Sequence, residues 1–216
     1  KRVTRVLGKQ SKEVALKTQK KIIRAALKVF AKEGFPDAKL RQIAKEAGTT
    51  HSLISHHFGS KEKLWQAVVD YGLTMRETKL KQIIEAGQHL EPVELFKKTI
   101  ESHILFCARH DKLAKILLHS HSRTGPHIEY VIERQKRVHD LVIPLFKKVQ
   151  RCGFFTEFDH DSFTVYMRAL AEMPVAAFDV SNHLLKHDIR SKEGILLHTQ
   201  RVITFLFPTE NKKENG

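Results

Sequence analysis

Histidine changes charge near neutral pH and is the commonest metal ligand, and this chain of 216 residues holds 14 of them. Three crowd into one stretch, His51, His56 and His57 in TTHSLISHHFGSKEKLW, among small polar side chains and just ahead of a basic SKEK. Asp179, His183 and His187 recur every fourth residue in DVSNHLLKH, a spacing that aligns one oxygen and two nitrogen ligands on a helical face. That alignment needs an unbroken helix, and Asn182 and His183 fall near an expected helix end, so these side chains are expected to be solvated or to face a partner. His119 and His121 are two apart and point to different sides of a helix. No metal and no other cofactor is therefore expected. Catalysis finds no support, because the chain has no nucleophile elbow, no Gly-rich phosphate loop and no carboxylate pair that stands out. Cys107 and Cys152 lack a paired spacing, which argues for two reduced thiols rather than a disulfide or a thiolate zinc site.

Charge is more informative than any of these constellations. Residues 1–70 carry 16 Lys and Arg against 6 Asp and Glu, so +10 of the net +14 lies in the first third of the chain. A localised excess of this kind attracts a polyanion through a sequence-independent electrostatic force. With 41% hydrophobic and 29% charged residues, the composition excludes a disordered or collagen-like chain and permits a sizeable core. Apolar runs such as PVAAF fall far short of the ~20 residues of a membrane span, and no signal-like apolar block opens the chain. The expectation is a cytoplasmic protein without a membrane partner.

The elements that position the histidine-rich stretch are short. Residues 1–17 are basic and weakly periodic, and read as a mobile arm or a frayed helix extension. From Thr18, Ile22, Ile23, Ala26, Leu27 and Phe30 recur at three- and four-residue steps up to a stop at Gly34. Leu40, Ile43, Ala44 and Ala47 define a second helix of two turns before Gly48. Thr50 caps a third, in which Ile54 and Phe58 share the inner face, leaving His51, Ser52, Leu53, Ser55 and His56 to point elsewhere. Three short helices with one glycine turn between the last two form a helix-turn-helix, whose third helix can enter a major groove about 12 Å wide. Arg41 and Thr49, beside that helix, join the candidate contacts to DNA.

The string IIRAALKVFAKEGF…LRQIAKEAGTTHSLISHHFGSKEKLW resembles the DNA-binding region of the TetR (tetracycline repressor) family over residues 20 to about 70. The resemblance implies that Phe58 anchors the recognition helix, that His57 touches a phosphate, and that SKE opens a long linker helix whose Lys61 also meets the DNA backbone. Ser60 suits the N-cap of that helix, although Lys63 rather than Glu stands at the third position. The chain departs from the family pattern at Ser55, where Tyr is common, at Ser52, where Gly is frequent, and at Ala38 and Lys39, where Thr residues cap the second helix.

Beyond residue 70 no alternating strand pattern competes with helical periodicity, and the expected class is all-α. The expected order is a basic arm at 1–17, the helix-turn-helix domain at 18–65, a larger helical effector-binding and dimerisation domain at 66–210 and a polar tail at 211–216. An apolar effector pocket is expected from Phe106, Tyr130, Phe163, Met167 and Phe178, with His103, Arg168 and Glu172 as its polar contacts. Pro144 and Pro174 are expected to bend helices. Residues 161–180 are apolar around nearly the whole circumference and the 193–207 helix has two apolar faces, which suggests self-association. Phe163, Tyr166, Leu170, Pro174, Ala177, Ile195, Val202, Ile203 and Leu206 are the candidate interface, resembling the four-helix dimer contact of the TetR family. The function expected is a transcription regulator, a repressor that binds a palindromic operator in double-stranded DNA as a homodimer and is released by an unknown small-molecule effector. A structural or nucleoid-associated DNA binder without effector is the alternative, followed by a metal-binding or enzymatic helical protein.

Overall fold

The structure, a computed structural model, describes residues 2–121, 126–185 and 188–208, with side chains described from residue 13 onward and that of His121 excepted. His187, the side chain of His121 and the 211–216 tail therefore lie outside the described residues. Among the described residues all regular structure is helical, in two compact units, Lys1–Gly72 and Leu73–Gly216.

In the first unit α1 (Arg2–Asp37), α2 (Leu40–Glu46) and α3 (His51–Phe58) lead into α4 (Lys61–Ala86), which continues into the second. Helix α1 starts well ahead of Thr18, so the segment expected as an arm or frayed extension is part of one long helix. Its regular path ends at Gly34, where φ 74° and ψ 167° occupy a region that in practice only glycine adopts. The core is as the periodicity expects: Ile22, Ala26, Phe30, Ile43, Ala44, Ala47 and Ile54 are buried, joined by Leu64, Trp65, Val68 and Val69 of α4. Each of the larger side chains contributes about 1.5–3 kcal/mol through burial. Phe35 stacks on Phe30 and meets Trp65 edge-on, closing the junction between α1 and α2. An ion pair of 2.6 Å between Lys28 and Glu46 ties these two helices on the outside.

The second unit contains α5 (Pro92–Arg109), α6 (Asp111–His121), α7 (Pro126–Arg151), α8 (His160–Ala171), α9 (Met173–Ala176), α10 (Phe178–Leu185) and α11 (Lys192–Leu206). Pro92 takes the first helical turn of α5, where its missing N–H costs nothing. The core joins Phe96, Ile100 and Ile104 of α5 to Leu145, Phe146 and Val149 of α7, Phe163 and Met167 of α8, and Val202 of α11. Helix α7 runs through Pro144 to Arg151 without interruption. The 161–180 segment, expected as one helix, is instead three pieces. Pro174 is the cause, because it cannot donate to a preceding carbonyl and its ring opposes helix continuation. Helix α8 therefore ends at Glu172, and α9, with Pro174 in its first turn, supplies only four residues before Ala177 leaves helical geometry.

Candidate nucleic-acid interface and effector cavity

Helix α3 begins as its sequence dictates. Thr50 is extended at φ −101° and ψ 155°, and its Oγ1 accepts the Leu53 N–H at 3.2 Å, satisfying one orphan donor of the first turn. Ile54 is buried and pins the helix, while His51, Ser52, Leu53 and His56 are exposed together on its other side. Ser52 Oγ also lies 3.1 Å from Thr50 Oγ1. Ser55, His57 and Phe58 are half-buried, and the His57 ring sits between those of His56 and Phe58 at 5.5 and 6.2 Å. Thr49 is half-buried in the turn and Arg41 is exposed on α2. Gly59, at φ 76°, ends the helix by donating to Ser55 O at 2.8 Å. Ser60 Oγ then accepts the Lys63 N–H at 3.1 Å to start α4.

Lys61 is placed differently from the expectation. Its Nζ donates to the carbonyls of Phe35, Pro36 and Ala38 at 2.9, 3.1 and 3.0 Å and lies 4.6 Å from the centre of the Phe35 ring. An ammonium has three protons, and here all three are directed at backbone oxygens left over at the end of α1. The role of Lys61 is to clamp this corner, and its position does not support a phosphate contact. Lysine at a helix C-terminus is the general signal that could have shown this, but Lys61 arrives from another helix.

The second unit holds a cavity of about 90 Å³, walled by α4, α5, α7 and α8. Phe96, Ile100, Leu80, Val138, Val142 and Phe163 give it an apolar lining, and Arg76, Lys79, His103, His139, His160 and Arg168 are its charged or titratable groups. Of the expected pocket residues, His103, Phe106, Phe163, Met167 and Arg168 come together there. Tyr130 and Phe178 do not: Tyr130 is half-buried elsewhere on α7, and Phe178 lies under the Arg190 guanidinium at 3.6 Å. Helix α7 turns Tyr130 away from the cavity, and the break at Pro174 takes Phe178 out of the α8 register.

Glu172 stands behind the wall and orders it. Its Oε2 accepts Nε and an NH2 proton of Arg168, both at 3.1 Å, while another Arg168 nitrogen donates to Gln135 Oε1 at 2.7 Å. Glu172 Oε1 is 3.6 Å from the Arg76 guanidinium and 3.5 Å from His103 Nε2. Burial by itself raises the pKa of this carboxyl, but the Arg168 and Arg76 guanidinium groups outweigh it and hold the group below its ordinary value. Burial, reinforced by Arg76, depresses His103 to about 3 and, with Arg76 and His160, His139 to about 4. Both imidazoles are therefore neutral at pH 7. Arg76, Gln135 and His139 were missed by sequence reasoning. Arg76 sits in a polar run of the linker helix, where periodicity carries no sign of burial.

His103, Cys107 and Glu172 bring three ligand atoms within 4.8 Å of one another, the only such group found among the described residues. Two guanidinium groups flank it, and burial pushes the Cys107 thiol up to about 12, so it offers a divalent cation neither a thiolate nor an attractive field. Asp179 and His183, weighed as ligands from sequence, are both exposed.

The candidate dimer residues divide. Phe163 and Val202 are buried in the core of their own unit, so they are withdrawn as interface residues. Leu170, Ile203 and Leu206 are half-buried against that core, and Pro174, Ala177 and Ile195 are half-buried as well. Tyr166 is 57% exposed, in the company of Val165, Met173, Val180, Leu184, Leu196 and Phe205. Both apolar faces of α8 and α11 exist, but the face assigned to a partner was in part the inner one.

The first unit presents an exposed helix braced by a three-helix core, and the second holds an internal cavity. Residues 22–68 match the family model for bacterial regulatory proteins of the tetR family. The chain is 30% identical over 173 residues to the probable HTH-type transcriptional regulator ArpR of Pseudomonas putida, covering 76% of this chain and 81% of ArpR. The HTH-type transcriptional repressor NicS, also of Pseudomonas putida, is 29% identical over 127 residues, which are 57% of each chain. Among solved structures, AibR in complex with isovaleryl coenzyme A and operator DNA superposes with a TM-score of 0.69 at 20% identity, over 88% of this chain and 98% of AibR. The protein belongs to the TetR family of bacterial transcription regulators. It is a DNA-binding regulator and not an enzyme. No helix among the described residues is long and apolar enough to cross a membrane.

Proposed function

We propose that this protein is a cytoplasmic repressor that binds a palindromic operator as a homodimer and releases it when a small molecule enters the cavity of the second unit. The observation that carries the reading is the outer side of α3, where His51, Ser52, Leu53 and His56 are exposed around the buried Ile54. Those side chains are short, varied and uncharged except through histidine, which suits readout of base edges rather than general attraction to phosphate. The phosphate attraction comes from the basic excess of residues 1–70, with His57 as the assigned contact at the end of α3.

The exposed apolar side chains of α8, α10 and α11 support self-association, since monomers rarely leave large contiguous apolar patches in water. A two-fold dimer would set two recognition helices about 34–36 Å apart or a multiple of it. The cavity supports release by an effector over a purely structural DNA binder, for which a solid core would suffice. AibR, which was solved with both an acyl-coenzyme A and operator DNA, supports the same pairing of functions. Helix α4 contributes Lys61 to the first unit and Arg76 to the cavity wall of the second. A ligand that draws on Arg76 thus acts on the helix whose start is clamped to the end of α1, and effector and operator disfavour each other reciprocally.

Selection of genomic fragments on the full chain, followed by footprinting, tests this reading. A protected palindrome of ~15–30 base pairs is expected for two half-sites one or two turns apart. Salt-sensitive binding with no preferred site would overturn it.

A further inference from the structure

We propose that the cavity takes a small carboxylate, a monoanion whose charged head pairs with Arg76 while its short apolar body lies against Phe96, Val142, Phe163 and Met167. This rests on the reading of the cavity as an effector site and names the chemistry of the effector.

Charge is the first argument. Arg76, Lys79 and Arg168 line the cavity, and among the described residues no acidic side chain does. The carboxylate behind the wall, Glu172, gives Oε2 to two Arg168 donors and leaves Oε1 3.6 Å from Arg76, beyond hydrogen-bonding distance, while Asp161 is exposed beside His160. Arg76 makes no hydrogen bond among the described residues, although its side chain is only 14% exposed. Arg76 is thus held to Glu172 only by a long ion pair of 3.6 Å, in a place where an incompletely satisfied charged group is costly and a closer anionic acceptor is favoured. The imidazoles of His103 and His139 are neutral and add no positive charge.

The second argument is an orphaned polar atom. His139 is on the cavity wall and its Nε2 is buried with no hydrogen-bond partner among the described residues. As the N–H tautomer it can donate to an anion that Arg76 also holds. Size and lining supply the third. About 90 Å³ is the share of roughly three liquid waters and less than the ~150 Å³ cavity that accepts benzene. The small size and apolar lining select a short hydrocarbon body with one charged head over phosphate, which has no apolar part to bury. An acyl thioester would bring no charge to this buried end.

The test uses the whole chain with propionate, butyrate and isovalerate, each against its amide, with inorganic phosphate and butyryl-coenzyme A as further arms, by calorimetry and thermal shift. At least one carboxylate is expected to bind about tenfold or more tighter than its amide, the scale of one charge-assisted hydrogen bond. Arg76→Gln is expected to abolish that preference and Arg76→Lys to keep part of it. Equal binding of acid and amide, binding of phosphate or the thioester alone, a preference that survives Arg76→Gln, or no binding by any carboxylate at millimolar concentration would each overturn the proposal. Carboxylate binding that leaves operator affinity unchanged would uphold it and sink the effector role. Operator release by a compound indifferent to Arg76→Gln would do the reverse.

Discussion

At the scale of single residues, similar side chains in this protein have opposite duties. His51 is exposed on α3 and free to meet a base edge, so His51→Ala should change preference at one or two operator positions by about 1–3 kcal/mol each. Binding-site selection with both proteins checks this, and an unchanged preference would remove His51 from the reading face. Lys61 is held by three carbonyls, so Lys61→Ala should cost folding stability, about 1–3 kcal/mol by analogy with other lost bonds to charged donors. The salt dependence of DNA binding should stay as it is, since no phosphate partner is lost; a shallower slope with unchanged stability would restore the phosphate role.

His103 gives a prediction in pH. Its folded pKa of about 3 lies below the ordinary 6.5, and that of His139, about 4, lies below the same value. Across those windows the unfolded chain binds protons that the folded chain refuses, so acid favours unfolding. Stability from this source is whole above about pH 6.5 and is lost progressively as pH falls toward 4 and then 3. The urea midpoint should fall on acidification, and His103→Gln should flatten that fall. A midpoint that rises or stays level between neutral pH and the lower window would contradict the burial of a neutral imidazole.

At the scale of elements, breaks matter more than the helices. Gly34 turns the chain at φ 74° and ψ 167°, so Gly34→Ala should destabilise the first unit by about 1–3 kcal/mol, the cost of a non-glycine residue in that region. Chemical denaturation gives the value, and a loss of only a few tenths would mean that the corner is more tolerant than its geometry implies. The α8–α9 joint carries Glu172, which caps the end of α8 and fixes the Arg168 fork toward Gln135. Removing one partner of a buried ion pair leaves the other uncompensated, so Glu172→Ala should cost about 3–5 kcal/mol.

At the scale of the whole molecule the remaining question is the exposed apolar surface. Leu184 is 71% exposed and Phe205 73%, which packing within one chain does not explain. Replacing both by Glu should leave the far-ultraviolet helical signal intact, convert a dimer to a monomer in sedimentation, and weaken operator binding far more than half-site binding. Persistence of the dimer would place the interface elsewhere.

The periodicity of Ile22, Ala26 and Phe30, the glycine stops and the Thr50 cap were enough to specify the three-helix core, because short-range spacing decides which face of a helix is apolar. The exposed row of α3 followed from the same argument, and so did the all-α class. Periodicity could not say which of two apolar faces turns inward, and Phe163 and Val202 turned out to be core residues. Nor could it show that Arg76, His139 and Arg168, from α4, α7 and α8, line one cavity, or that Lys61 reaches back 23 to 26 residues to three carbonyls. Local spacing determined the elements. Tertiary structure decided the charge balance of the cavity, since burial and pairing depend on neighbours distant in sequence.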